Sequence, residues 1–189
     1  TQSEGEIQVG DLEISTLRAS KRARAGVARS FQGLELFDDA TVFENLSVAA
    51  DPQDGASYFK DLVRPRNPLF SAPVVRTIQQ FDLEFDLHRD VRDLSYGKRR
   101  LLAIARAVAM VPSVLLLDEP AAGLSQAESQ NLARLVRGLA DEWGMAILVV
   151  EHDLQFVMGA CDEVLVLDFG KLIATGTPAE VQANPEVIR

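Results

Sequence analysis

Residues 114–124, VLLLDEPAAGL, run four apolar side chains straight into the adjacent carboxylates Asp118 and Glu119 and then a proline. So short an apolar run reads as a buried strand, and open α/β sheets bind their ligands outside the carboxyl ends of such strands. Two acids in that place suit phosphate chemistry. Asp118 would hold a magnesium ion largely through water, because Mg²⁺ gives up its hydration reluctantly. Glu119 would polarise a water for attack on a phosphate. An acid beside a proline also makes an ordinary turn, so the segment alone leaves both readings open.

A second stretch, LSYGKRRLLAIARAVA at 94–109, bears on the same chemistry. Ser95 is a good N-cap, and Gly97 removes a side chain where the helix begins. The free N–H groups and positive dipole end there can approach an anion closely. Standing alone, the stretch is equally a capped amphipathic helix.

Around these residues, the last hundred positions alternate strand and helix signals, the rhythm of a parallel sheet with crossover helices. The strand at 114–117 is followed by a helix from Gln126, with Leu132, Leu135, Val136, Leu139 and Trp143 on one stripe and Gly144 to end it. Strands at 146–150 and 164–168 and an edge strand at 172–174 follow, with a short helix from Leu154 between the first two. Thr177, Pro178 and Glu180 form a capping box with proline at the first helical position. Between Leu34 and Val111 no strand is evident, and five prolines (52, 65, 68, 73 and 112) fall in or beside that stretch. There Val74, Ile78, Phe81 and Phe85 share a helical stripe. The expectation is a helical lobe inserted into an α/β core.

With 189 residues, 47% of them hydrophobic, the chain can bury one sizeable core with at most a satellite lobe. Its net charge of −9 argues against nucleic-acid binding. No apolar run reaches the length of a membrane helix, and the first residues lack the pattern of a signal peptide, so a cytoplasmic location is expected. The single cysteine, Cys161, reads as a small buried apolar residue. The basic stretch with Arg18, Lys21, Arg22, Arg24 and Arg29 is either an anion patch or a solvated helix face, and the second is favoured.

In order and spacing, LSYGK, LLLDEP, AAGL and VVEHD resemble the signature motif, Walker B, D-loop and switch histidine of ATP-binding-cassette (ABC) ATPases. Upstream, SFQGLELFDDATVFENL resembles the Q-loop of that family and places Gln32 at the junction of core and lobe. DEPAAGL, EHDLQFVMG and TGTPAEVQANPEVIR further resemble the ATP-binding subunits of branched-chain amino acid importers. The resemblance implies a P-loop NTPase (RecA-like) core with an inserted α-helical subdomain. Residues 1–33 would be core up to the Q-loop, 34–111 the helical signature subdomain, and 112–189 the remaining core.

It further implies ATP and Mg²⁺ as cofactors, Glu119 as general base, Asp118 and Gln32 on the metal and its water, and His152 on the γ-phosphate. Ser95, Tyr96, Gly97, Lys98 and Ser125 would serve ATP held on a second ABC subunit of a head-to-tail dimer. The groove near Gln32 would face a membrane permease, placing the protein on the inner face of the membrane. Leu36 and Phe37 are either contacts there or core. No segment matches GxxxxGK[ST], the phosphate loop that in the family precedes the strand resembling GEIQV. The chain is therefore expected to start after that loop, and by itself to bind ATP poorly and not to turn over.

Three positions depart from the pattern: Lys98 replaces the usual glutamine, Tyr96 a common glycine, and Ser125 the usual D-loop aspartate. Lys98 would assist a phosphate or only form a salt bridge, and Ser125 would weaken a link between subunits. Two other functions stay open: a soluble ABC ATPase of repair or translation, and a non-catalytic dimerisation module left by loss of the phosphate loop.

Overall fold

The computed structural model describes residues 5–30, 33–49 and 72–188. Gln32 and the prolines at 52, 65 and 68 lie outside the described residues, as does part of the expected helical lobe. The chain opens with a small antiparallel pair, β1 (Gln8–Val9) and β2 (Leu12–Glu13), then α1 (Ala19–Arg24) and β3 (Val27–Arg29). Helices α2 (Val42–Ala49), α3 (Ala72–Gln80) and α4 (Tyr96–Ala109) follow. After them β4 (Val114–Asp118), α5 (Gln126–Trp143), β5 (Ala146–Val150) and α6 (Leu154–Ala160) alternate. The chain closes with a hairpin of β6 (Val164–Asp168) and β7 (Lys171–Gly176), then α7 (Pro178–Gln182) and α8 (Pro185–Ile188).

Strands β3, β4 and β5 form a parallel sheet in that order, with Arg29 opposite Leu116 and Asp118 opposite Val150. One face carries Ala28, Leu115 and Leu117, all buried, with Ile147 and Val149 packed beside them. Helices α4 and α5 cover that face through Leu102, Ile104, Val108, Leu132, Val136 and Leu139, and the same core takes in Val42, Leu46, Val74 and Ile78 from α2 and α3. The opposite face carries Arg29, Leu116, Asp118, Leu148 and Val150. Leu148 and Val150 are 60% and 59% exposed, which is unusual for a parallel sheet, whose two faces are ordinarily both covered.

Several sequence expectations are met where the signals are local. Ser95 accepts a hydrogen bond from the Lys98 amide as N-cap of α4. Gly144 ends α5 at φ 64°, in the left-handed region that costs glycine nothing. Thr177 and Glu180 close their capping box over α7. Three expectations need correction. Phe85 does not continue the stripe of Val74, Ile78 and Phe81: α3 ends at Gln80, and Phe85 lies in a 3-10 turn, 97% exposed. Arg29 does not belong to a solvated helix face, because it is the last residue of β3. Cys161 is half-buried rather than buried, and burial raises its thiol pKa.

Candidate functional site

Parallel pairing brings the ends of β4 and β5 to one edge of the sheet. Asp118 lies opposite Val150, and the next amide, that of Glu119, donates to the Val150 carbonyl at 2.8 Å. His152, two residues beyond β5, therefore emerges beside the Asp118–Glu119 turn, with its side chain 77% exposed. Gln32, expected at the same site, lies outside the described residues.

Asp118 is not bare. Arg29 Nη2 sits 2.8 Å from its Oδ2, and both side chains remain partly exposed. Glu119 adopts φ +45°, a left-handed backbone that a non-glycine residue holds at a cost of order 1–3 kcal/mol. That backbone is held from below by Arg100 of α4, which is 1% exposed. Its Nε donates to the Pro120 carbonyl at 3.0 Å, and its Nη2 donates to the carbonyls of Asp118 at 3.2 Å and of Glu119. From the side, Glu151 ties the same turn down. Its carboxylate, 1% exposed, accepts from the Ala121 amide at 2.7 Å and from the amides of His152 and Asp153.

The start of α4 faces outward at Ser95, Tyr96 and Lys98, while Gly97 is buried. A Cβ at Gly97 would run into the Glu128 carboxylate, and Glu128 is itself engaged with Ser125 in the capping box of α5. Ser125 thus spends its hydroxyl on its own helix. Tyr96 donates its hydroxyl to the Ala122 carbonyl at 3.2 Å, and its ring lies against Gly123, where it leaves no room for a Cβ and where φ is +77°. The signature stretch and the AAGL turn are therefore packed on each other. A cavity of about 460 Å³ opens beside Gly97 and Lys98, lined also by Leu101, Leu124 and Arg134. It touches none of Asp118, Glu119 and His152.

Lys98 forms a salt bridge within the chain: its ammonium meets Asp86, whose other oxygen takes Arg89 at 2.8 Å. The Asp86 side chain is 3% exposed. Burial works to raise its pKa, but the hydrogen bonds from Lys98 and Arg89 outweigh it and hold the carboxyl below its ordinary value. A depressed folded pKa contributes stability in full above the unfolded value and loses it as pH falls through the folded one. The wild-type chain should accordingly lose stability below about pH 4, and Asp86→Asn should be less stable at pH 7 with a smaller further loss at pH 3. Urea midpoints of both proteins at the two pH values measure this. Equal acid losses would show that Asp86 does not carry the effect.

Arg29, Arg100 and Glu151 are the site residues that the motif reading passed over. Glu151 carried a signal, since it ends an apolar strand just as Asp118 does. Arg29 showed only as part of the basic stretch and Arg100 carried no signal, because their partners lie 89 and about twenty residues away.

A magnesium ion fits this donor set. Among the described residues no three His, Cys, Asp or Glu side chains converge, whereas Mg²⁺ takes one or two carboxylates and otherwise water and phosphate oxygens. Asp118 already receives one cation, the Arg29 guanidinium, on the carboxylate such an ion would use.

Comparison with known proteins yields consistent matches. The family described as ABC transporter matches residues 1–122, and the branched-chain amino acid ATP-binding cassette transporter family matches 171–189. The high-affinity branched-chain amino acid transport ATP-binding protein LivG of Escherichia coli K12 is 37% identical over 192 residues, covering 98% of this chain and 74% of its own. BraF of Pseudomonas aeruginosa, which carries the same description, is 34% identical over 197 residues with the same coverage. The crystal structure of the ADP conformation of MJ1267, an ATP-binding cassette of an ABC transporter, superposes with a TM-score of 0.80 over 98% of this chain and 76% of that one. At 23% identity that likeness speaks for the fold.

Proposed function

This chain belongs to the ABC transporter family of ATP-binding subunits, and we propose that it powers an importer of branched-chain or other hydrophobic amino acids by hydrolysing ATP against a partner permease. The observation that carries the reading is the sheet edge where the Asp118–Glu119 turn and His152 meet, with the capped start of α4 exposed nearby. Similarity to LivG and BraF over 98% of the chain supports the substrate class.

Glu119 takes the proton of the attacking water as its oxygen bonds to the γ-phosphorus and the bond from that phosphorus to the β–γ bridging oxygen breaks, releasing ADP. Asp118 would hold Mg²⁺, with Gln32 in the role the family resemblance gives it on the metal's water, and the Arg29 guanidinium competes for the same carboxylate. When bound, the ion neutralises charge on the phosphate oxygens. His152, exposed at that sheet edge, donates a hydrogen bond to the terminal phosphate. Ser95 and the first amides of α4 close over nucleotide held by a second subunit, where anions meet a helix N-terminus. Lys98 stays with Asp86 and takes no phosphate, and Ser125 acts as a cap.

The β and γ phosphates still need a cradle of amides and a lysine, and no stretch of the sequence matches the GxxxxGK[ST] pattern that supplies one. The bare face of the parallel sheet supports its source. Leu148 and Val150 on the bare face of β5, with Leu165 and Leu167 exposed on β6, suit a further strand and helix carrying that loop. Phe37, half-exposed with the Arg106 guanidinium 5.0 Å from its ring centre, suits the permease groove. No helix of the described residues is long and apolar enough to cross a membrane. A partner permease would bring the subunit to the membrane's inner face.

Calorimetry with Mg-ATP tests the reading. The 189-residue chain should give no saturable binding, and the polypeptide extended by a strand–GxxxxGK[ST]–helix segment should bind one ATP per subunit. Tight stoichiometric binding to the shorter chain would remove the need for the loop. Failure of the extended one to bind would remove the ATPase.

A further inference from the structure

We infer that Arg100 is a positioning residue that holds Glu119 in its left-handed backbone and ties that turn mechanically to the start of α4, an inference that rests on the ATPase reading. The arginine stands one turn into α4, only five residues after the Ser95 cap. From there it crosses to the far end of β4 and donates to the carbonyls of three consecutive residues, Asp118, Glu119 and Pro120. At 1% exposure it is the largest fully buried side chain among the described residues.

Burying a guanidinium is costly unless its donors are all met, and an apolar residue would fill the same volume more cheaply. The rigid, planar fork gives what an apolar residue cannot, several donors at fixed angles. Three carbonyls gathered around one group is the shape of a chain turned back on itself, and the residue at its centre is Glu119 at φ +45°. Strain of this kind persists only where the surroundings over-determine it. Here the Val150 carbonyl holds the Glu119 amide and Arg100 holds the Glu119 carbonyl, so the backbone is clamped on both sides.

The clamp also has a direction. Ser95 and Tyr96 are exposed, where the proposed function puts nucleotide of a second subunit, while it assigns the Asp118–Glu119 turn to nucleotide of its own. A shift of α4 when its N-terminus engages the partner's nucleotide is passed by one guanidinium to the general base. Tyr96 on Gly123 and Ala122 makes a second, peripheral contact between the same two stretches.

The deciding variant is Arg100→Lys, which keeps the charge but cannot span three carbonyls. Leu139→Ala, at a fully buried site in α5 away from the turn, serves as a control of comparable instability. In the complete protein Arg100→Lys should lower kcat by about 10–100-fold with ATP affinity within about twofold of wild type. Leu139→Ala should lose thermal stability and keep its kcat. Hydrogen exchange read by mass spectrometry needs no turnover: Arg100→Lys should speed exchange of the amides of Glu119, Ala121 and Ala122 and of those at 97–99 together, beyond any global change seen in Leu139→Ala. Unchanged protection at 119–122, or a kcat loss that Leu139→Ala shares in proportion to its instability, overturns the inference. A wild-type protein with no ATPase activity would instead count against the proposed function, and the exchange measurement would still decide whether Arg100 clamps the turn.

Discussion

Glu119→Gln in the complete protein is expected to lower ATP turnover by about 10²–10⁴-fold, the usual contribution of a positioned general base, while nucleotide binding stays near that of wild type. Glutamine matches glutamate in shape and can keep the backbone clamp of Val150 and Arg100, which acts on main-chain atoms. What it loses is the ability to take a proton from the attacking water. Because the substitution changes proton transfer and not fit, the loss should fall on kcat and spare the affinity for ATP. Phosphate release at saturating Mg-ATP, beside a binding titration on the same preparation, measures both. Turnover within about threefold of wild type would be too small for general-base loss and would take Glu119 out of that role.

Phe156→Ala is expected to cost about 3–5 kcal/mol of stability, the range for emptying a large aromatic site in a core. Phe156 is completely buried on α6 and belongs to the same core as Leu132, Ala133 and Val136 of α5. The short α6 has little stability of its own. It rests on this packing and on its cap, where Asp153 accepts from the amides of Gln155 and Phe156 and from the Ser129 hydroxyl at 2.7 Å. A loss of that size should lower the melting temperature by roughly 6–20 °C for a chain of this length. Leu154, 69% exposed on the same helix, supplies the contrast, since Leu154→Ala should stay within about 0.5 kcal/mol. His152 lies just ahead of α6, so the core variant should also loosen the histidine. Thermal unfolding of both variants checks the stability, and a loss below about 1 kcal/mol for Phe156→Ala would mean that α6 is not anchored through its core face.

Much of the fold was legible because its signals are local. An apolar run bounded by turn residues placed β4 and β5 at their observed positions. Ser95, Gly144 and the Thr177–Glu180 box marked helix ends within the few residues whose backbone groups they satisfy. The stripe that wrongly reached Phe85 shows the limit of such reasoning. Periodicity counts residues, and it does not register that the chain leaves the helix after Gln80 and passes through Asp82 at φ +51°.

What the sequence by itself determined is which residues end the strands: Asp118 and Glu119 after one apolar run, His152 shortly after the next, and Ser95 at the head of a helix. Their order and neighbours are covalent facts, and strand and cap propensities act over a few residues. Only the tertiary structure decided what those residues touch. It set Arg29 on Asp118, Arg100 beneath Glu119, Glu151 under the Ala121 amide, and Lys98 on Asp86 in place of an open anion site. Those pairings depend on parallel register and on how far a long side chain reaches across a core. Neither is written in any stretch short enough for local propensity to read.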